Sequence, residues 1–296
     1  MDADLRSPLL RVLIYGHVWL ACGALAQTWL MQHLMGLSGW RAPLLAALAT
    51  FAGYTFMRTA RAGHPSLGVA PQLQWTLRHR TVLVGVASIA AIAALVVAAH
   101  HLPDLVLRSA PVALAVLLYA VPARPPRRRP LGLGRVPLLR AFLTAGCGAG
   151  TTVHLPLLFA PTDHPPQGTG WLFVLQGCFF LSLALVFDLR DRAIDRDVVL
   201  TVPQLLGGTG TRSLATLLML YPVGVFTTLA FVGRALRPVD APAPWPMDMV
   251  LAAVAYLVVA AMVALPVEGR SALHFGLLLD GALLLPPLGV ALTLLV

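Results

Sequence analysis

Four of the chain's 12 acidic residues fall in one run, FDLRDRAIDRD over Phe187–Asp197: Asp188, Asp191, Asp195 and Asp197. On a helix, positions i, i+3 and i+7 share a face, so Asp188, Asp191 and Asp195 make one carboxylate stripe. Like charges on a stripe repel, and the arrangement calls for positive charge beside it. Mg²⁺ is one source: a hard ion, it is held by one or two carboxylates and completes its shell with water and phosphate oxygens. Arg190, Arg192 and Arg196 are the other source, neutralising the aspartates as a solvated helix end. Spacing alone leaves both open.

The elements that position this stripe are membrane spans. Of 296 residues, 58% are hydrophobic and 11% charged, and the mean hydropathy is +0.81. A soluble domain carries about 25% charged residues; half that number suits a surface facing lipid. A helix crosses the hydrocarbon core with roughly 20 apolar residues. Such runs occur at about 10–33, 42–57, 81–99, 104–121, 138–160, 170–188, 213–235, 247–266 and 272–295, which predicts an all-α polytopic protein of nine spans forming one domain over 1–296. The first run is too long for a cleavable signal peptide and lacks a small-residue cleavage site.

All 21 basic residues are arginine, and the net charge is +9. Their place in short loops between apolar runs speaks for membrane orientation over nucleic acid. With a cytoplasmic N-terminus, 17 of the 21 fall on the cytoplasmic side of a nine-span chain, as the positive-inside rule requires. The expected location is the inner (plasma) membrane, as a multi-pass protein. Cys22, Cys147 and Cys178 lie inside apolar segments without metal-ligand spacing and read as structural thiols.

Downstream of the stripe comes TVPQLLG, Thr201–Gly207. Together, FDLRDRAIDRD and TVPQLLG resemble the second signature of the UbiA superfamily of intramembrane prenyltransferases, D-x-x-D-x-x-x-D followed by T-x-P-x-x-x-G. Asp188, Asp191 and Asp195 match its acidic positions; Thr201, Pro203 and Gly207 match the rest. Members also carry a Tyr and basic residues after the fourth helix. Here that stretch reads LYAVP, Leu118–Pro122, followed by Arg127, Arg128, Arg129 and Arg140. The resemblance implies a nine-helix bundle with a central cavity open to the cytoplasmic side. It implies transfer of a prenyl group from a polyprenyl diphosphate to a hydrophobic acceptor, often an aromatic or quinone precursor. Asp188, Asp191 and Asp195 would hold Mg²⁺ and the diphosphate, and Tyr119, Arg128, Arg140 and Arg192 would help grip the phosphate.

The pattern breaks at the end of the second span. Superfamily enzymes carry a first acidic signature there, which holds a second Mg²⁺. Thr50–Gly63, TFAGYTFMRTARAG, has no acid, and none occurs between Asp4 and Asp104. The expectation is therefore one metal site in place of two. Arg58 either contacts the diphosphate directly, since an Arg fork binds phosphate oxygens without a metal, or is a positive-inside anchor. Asp280, within LLLDGALLLPP, is a carboxylate at bilayer depth that faces a substrate cavity or an interhelical partner. His17, Gln27 and Gln176 are polar residues of the same kind, and Pro286 and Pro287 predict a kink in the last span. The absent first signature supports an alternative, a catalytically reduced relative that binds an isoprenoid or lipid without prenyl transfer. A transporter is a further alternative, disfavoured by the absence of an evident inverted repeat with broken midplane helices.

Overall fold

Hydrocarbon offers no partner to a backbone N–H or C=O, and a helix satisfies both within one segment. The computed structural model describes residues 7–62, 71–107, 110, 138–160, 165–195, 200–235, 246–266, 270 and 274–294, and its elements are helical, with no strand among the described residues. They are α1 (Pro8–Tyr15), α2 (Val18–Leu34), α3 (Arg41–Ala62), α4 (Pro71–Arg78), α5 (Arg80–Ala98), α6 (Leu139–Leu158), α7 (Thr169–Asp195), α8 (Val202–Ala235), α9 (Met247–Ala264) and α10 (Leu285–Thr293), with a π-helical stretch His274–Leu279 before α10. Among the described residues, five helical stretches are long and apolar enough to cross a membrane, or six if the bent pair α1–α2 is one span.

Those stretches answer to predicted spans 81–99, 138–160, 170–188, 213–235 and 247–266, and the bent pair to 10–33. Predicted 42–57 is α3, which has the length to cross but is interrupted by Thr50, Gly53, Thr55, Arg58 and Thr59. Most of predicted 104–121 lies outside the described residues.

Three breaks interrupt the helices, each with a local cause. Between α1 and α2 the axis bends by 55°, where His17 takes a left-handed conformation, φ 61°. Within α8, Gly207 sits at φ 71°, ψ 177°, a region that only glycine occupies without strain. In the last span the carbonyl of Leu283 would ordinarily accept a bond from three or four residues on, but those are Pro286 and Pro287, which have no N–H. Gln27 of α2 supplies the missing donor, its Nε2 lying 2.6 Å from the Leu283 oxygen. Gln176 of α7 in turn donates its Nε2 to Gln27 Oε1 at 2.9 Å. The predicted kink is thus a full break, held across the bundle by two buried amides.

Helices α2, α6, α7, α8, α9 and α10 pack each on the next, and α10 returns to α2, so the first and last spans are neighbours. Outside this ring, α3 lies against α2 and α6, and α5 lies against α3. The apolar window of α7 is 56% buried and that of α5 only 17%, which makes α7 the core helix and α5 a lipid-facing edge. At the centre, Tyr256 stacks on Phe226 at 5.3 Å and meets the edge of Phe179 at 5.5 Å.

Small residues let backbones approach where hydrocarbon gives no hydrophobic drive to association. A methyl group at Gly289 would stand 2.9 Å from the Leu251 carbonyl oxygen, a backbone atom that cannot rotate away. Gly289→Ala is therefore expected to push α9 from α10 and destabilise by about 1–3 kcal/mol, the usual cost of overpacking. A thermal melt in detergent checks this; an unchanged midpoint would show that the two helices are free to separate.

Candidate functional site

The predicted stripe lies on one continuous helix. α7 runs through Asp188 and Asp191 to Asp195 without a break, so the i, i+3 spacing places the first two carboxylates on a shared face. Opposite them is Arg140, the second residue of α6. Its placement follows from the backbone: the Leu138 N–H, just before α6, donates to the Leu200 carbonyl just beyond α7 at 3.0 Å. One guanidinium nitrogen, Nη2, then lies 2.7 Å from Asp188 Oδ1 and 3.5 Å from Asp191 Oδ2. The Asp188 side chain is only 6% exposed, so this ion pair sits largely out of water.

Arg190 grips Asp191 from the other side, with Nε 2.8 Å from Oδ1 and Nη2 3.2 Å from Oδ2. That two-pronged geometry is the strong form of an arginine–carboxylate contact. The Arg190 guanidinium also lies 5.1 Å from the ring centres of both Phe187 and Phe275, within cation–π range. Phe275 belongs to the π-helical stretch, so Arg190 ties α7 to the last span.

A second group gathers around the α1–α2 bend. The Tyr15 ring meets Trp75 of α4 at 5.9 Å, and the His17 ring stands 6.0 Å from Tyr54 of α3. The Trp19 indole N–H donates to the Leu277 carbonyl at 3.1 Å. These contacts draw α3, α4 and the last span together. One helical turn beyond Tyr54, Arg58 donates through Nη2 to Gln72 Oε1 at 2.7 Å. Its charge interacts with those of Arg190, Asp280 and Asp191, and Asp280 interacts with both arginines. No ion pair closes onto Asp280 among the described residues.

Of the nine predicted site residues, Arg140, Asp188 and Asp191 are in direct contact, and Arg58 and Asp280 lie within electrostatic range of that group. Arg192 is exposed on the outer side of α7. Asp195 lies in α7 by its backbone; its side chain, Tyr119 and Arg128 lie outside the described residues. Two participants escape the sequence reading. Arg190 reads there only as a counter-ion, although Phe187 one turn earlier was the signal for a fixed guanidinium. Gln72 carries no pattern at all, since its role depends on α4 folding back onto α3. The TVPQLLG segment caps and opens α8: the Thr201 N–H donates to Gln204 Oε1 at 3.3 Å, and Gly207 ends the first turn.

The donor set can be tested against Mg²⁺. Two carboxylates one turn apart present oxygens to a single positive centre, here an arginine nitrogen, and such a pair suits a hard divalent ion. No group of three or more His, Cys, Asp or Glu side chains is gathered among the described residues, so water and phosphate oxygens would complete the shell. No protein-family model, curated protein or solved structure matches the chain.

Proposed function

We propose that this polytopic membrane protein is a UbiA-like prenyltransferase with nine spans and a cytoplasmic N-terminus, seated in the plasma membrane. It transfers a prenyl group from a polyprenyl diphosphate to an aromatic or quinone-precursor acceptor. The observation that carries the reading is the contact of Arg140 and Arg190 with Asp188 and Asp191, where α6 and α7 meet at one end of an apolar bundle. A ligand with a charged head and a long apolar tail matches that division.

The reaction breaks the prenyl C–O bond, its electron pair leaving with the diphosphate. The acceptor carbon forms the new C–C bond and loses a proton. Asp188 and Asp191, with Asp195 one turn on, would hold one Mg²⁺, which when bound neutralises charge on the departing diphosphate. Arg140 spans the two carboxylates and is placed to pass from them to phosphate oxygens. The apolar helices hold the isoprenoid and keep water from the reacting carbon.

The test uses full-length protein in nanodiscs with geranylgeranyl diphosphate and a panel of aromatic and quinone-precursor acceptors. Acceptor-dependent pyrophosphate release is expected, lowered about a hundredfold or more by Asp191→Ala, the scale seen on removing one stabilising group from a transition-state site. The absence of release with every acceptor, alongside Mg²⁺-independent binding, would sink the reading. One observation favours a second reading: Arg140 and Arg190 already satisfy Asp188 and Asp191, as a non-catalytic isoprenoid or lipid binder would have it. Binding without release in the same assay identifies that case.

A further inference from the structure

Two buried side-chain groups at the start of α8 have no hydrogen-bond partner among the described residues. One is the hydroxyl of Thr201, a residue only 2% exposed. The other is Nε2 of Gln204, one turn on. The Gln204 amide is not free to flip, because its Oε1 accepts the Thr201 N–H at 3.3 Å. The backbone closes the same turn, the Gln204 N–H donating to the Thr201 carbonyl at 3.1 Å. With the amide oxygen fixed, both Nε2 protons are left without an acceptor. Buried polar groups are nearly always paired, since leaving one unpaired is costly. Two on one turn ask for a common ligand.

The corner that holds them is built at some strain. Leu138, before α6, takes φ 64° and ψ −17°, a left-handed conformation that a bulky side chain rarely adopts. There its N–H donates to the Leu200 carbonyl at 3.0 Å. The bond fixes Thr201, the next residue, against the start of α6, where Arg140 makes its 2.7 Å contact with Asp188. Leu200, Leu205 and Leu206 are exposed, whereas Thr201 and Pro203 are buried. The turn therefore shows leucines outward and polar groups inward. Both unpartnered groups are neutral, and both donate. Neutral donors suit the lone pairs of a neutral oxygen, whereas a diphosphate is drawn to the charged groups of α6 and α7. An occupant that passes three exposed leucines is one that dissolves in the bilayer.

We propose that Thr201 Oγ1 and Gln204 Nε2 bind the carbonyl oxygen of a neutral, lipid-soluble molecule beside the Asp188–Asp191 group. The inference rests on the prenyl-transfer reading for the role of that molecule, which is then the acceptor, held by its carbonyl next to the diphosphate end of the donor.

The test titrates menadione, a neutral quinone isotope-labelled at its carbonyls, into the full-length protein in nanodiscs of ether-linked phosphatidylcholine. Infrared spectroscopy follows the carbonyl band, and empty nanodiscs give the partition background. Saturable binding above that background is expected, with the bound band at lower frequency. Thr201→Val and Gln204→Met should each weaken binding about tenfold, the worth of one hydrogen bond, and move the bound band part of the way back. Thr201→Ser, which keeps the hydroxyl, should do neither. A merely structural role would weaken binding without moving the band. Repeating the titration in ester-linked lipid separates two sources of carbonyl: weaker binding there extends the site to lipid esters, unchanged binding restricts it to free carbonyl compounds, and both uphold it. Binding no greater than in empty nanodiscs overturns the proposal, as does a bound band that neither variant moves. Carbonyl binding in a protein that releases no pyrophosphate with any acceptor would remove the parent reading and leave the site standing. Acceptor-dependent release at full rate in both variants would do the reverse.

Discussion

Arg140→Met lowers the stability of the protein by about 3 kcal/mol, the lower end of the cost of leaving a buried charge without its partner. The lower end applies because the Arg140 side chain is 20% exposed and that of Asp188 is 6% exposed. The loss comes mostly from Asp188, which gives up its 2.7 Å contact, since Asp191 keeps its contact with Arg190 at 2.8 Å. Adding Asp188→Asn to the Arg140→Met chain therefore restores most of the stability, although it restores no ion pair. A thermal melt of the two variants and the double variant in detergent measures this. If the double variant is no more stable than Arg140→Met alone, the Asp188 charge is well solvated and the ion pair is not what holds α6 to α7.

Gln27→Leu removes the donor on which the broken last span depends. Interhelical hydrogen bonds in membranes average only about 0.6 kcal/mol, because a released group finds another partner. Leu283 has no such alternative, since Pro286 and Pro287 occupy the positions that would otherwise donate to it. The change also strands the Gln176 amide, which donates to Gln27 at 2.9 Å. At about 1–3 kcal/mol for each buried unsatisfied group, a loss of about 2 kcal/mol or more is expected. Gln176→Leu leaves the Gln27–Leu283 bond in place and should cost less. The ordering of the two melts decides the matter: equal losses, or a larger one for Gln176→Leu, would show that the Leu283 carbonyl is satisfied some other way.

Much of the architecture was legible in the sequence because apolar length is a property of single segments. Span 170–188 announces α7, and the i, i+3 spacing of Asp188 and Asp191 places both carboxylates against one partner. What the sequence concealed depends on contacts between distant segments. Arg140 pairs with Asp188, whereas the sequence offers it as a grip on phosphate and gives no sign of this contact until Leu138 is seen bonded to Leu200. Pro286 and Pro287 signalled a kink, but the break became full because Gln27, some 250 positions earlier by sequence separation of 256 from Leu283, stabilises the orphan carbonyl. The early end of α8 lies outside predicted span 213–235 because Gly207 breaks the helix there, leaving Val202–Leu206 as a short turn ahead of it.

Because α10 closes the ring against α2, the order of synthesis limits when the charged cluster can exist. Asp280 and Phe275 follow Arg58 and the α1–α2 bend in the order of synthesis. The final segment is a six-residue π-helical stretch and a nine-residue helix, each far shorter than the roughly 20 residues that span a bilayer unaided. In the folded protein α10 packs against both α2 and α9. Chains truncated before residue 274 would carry the earlier spans without Phe275 or Asp280.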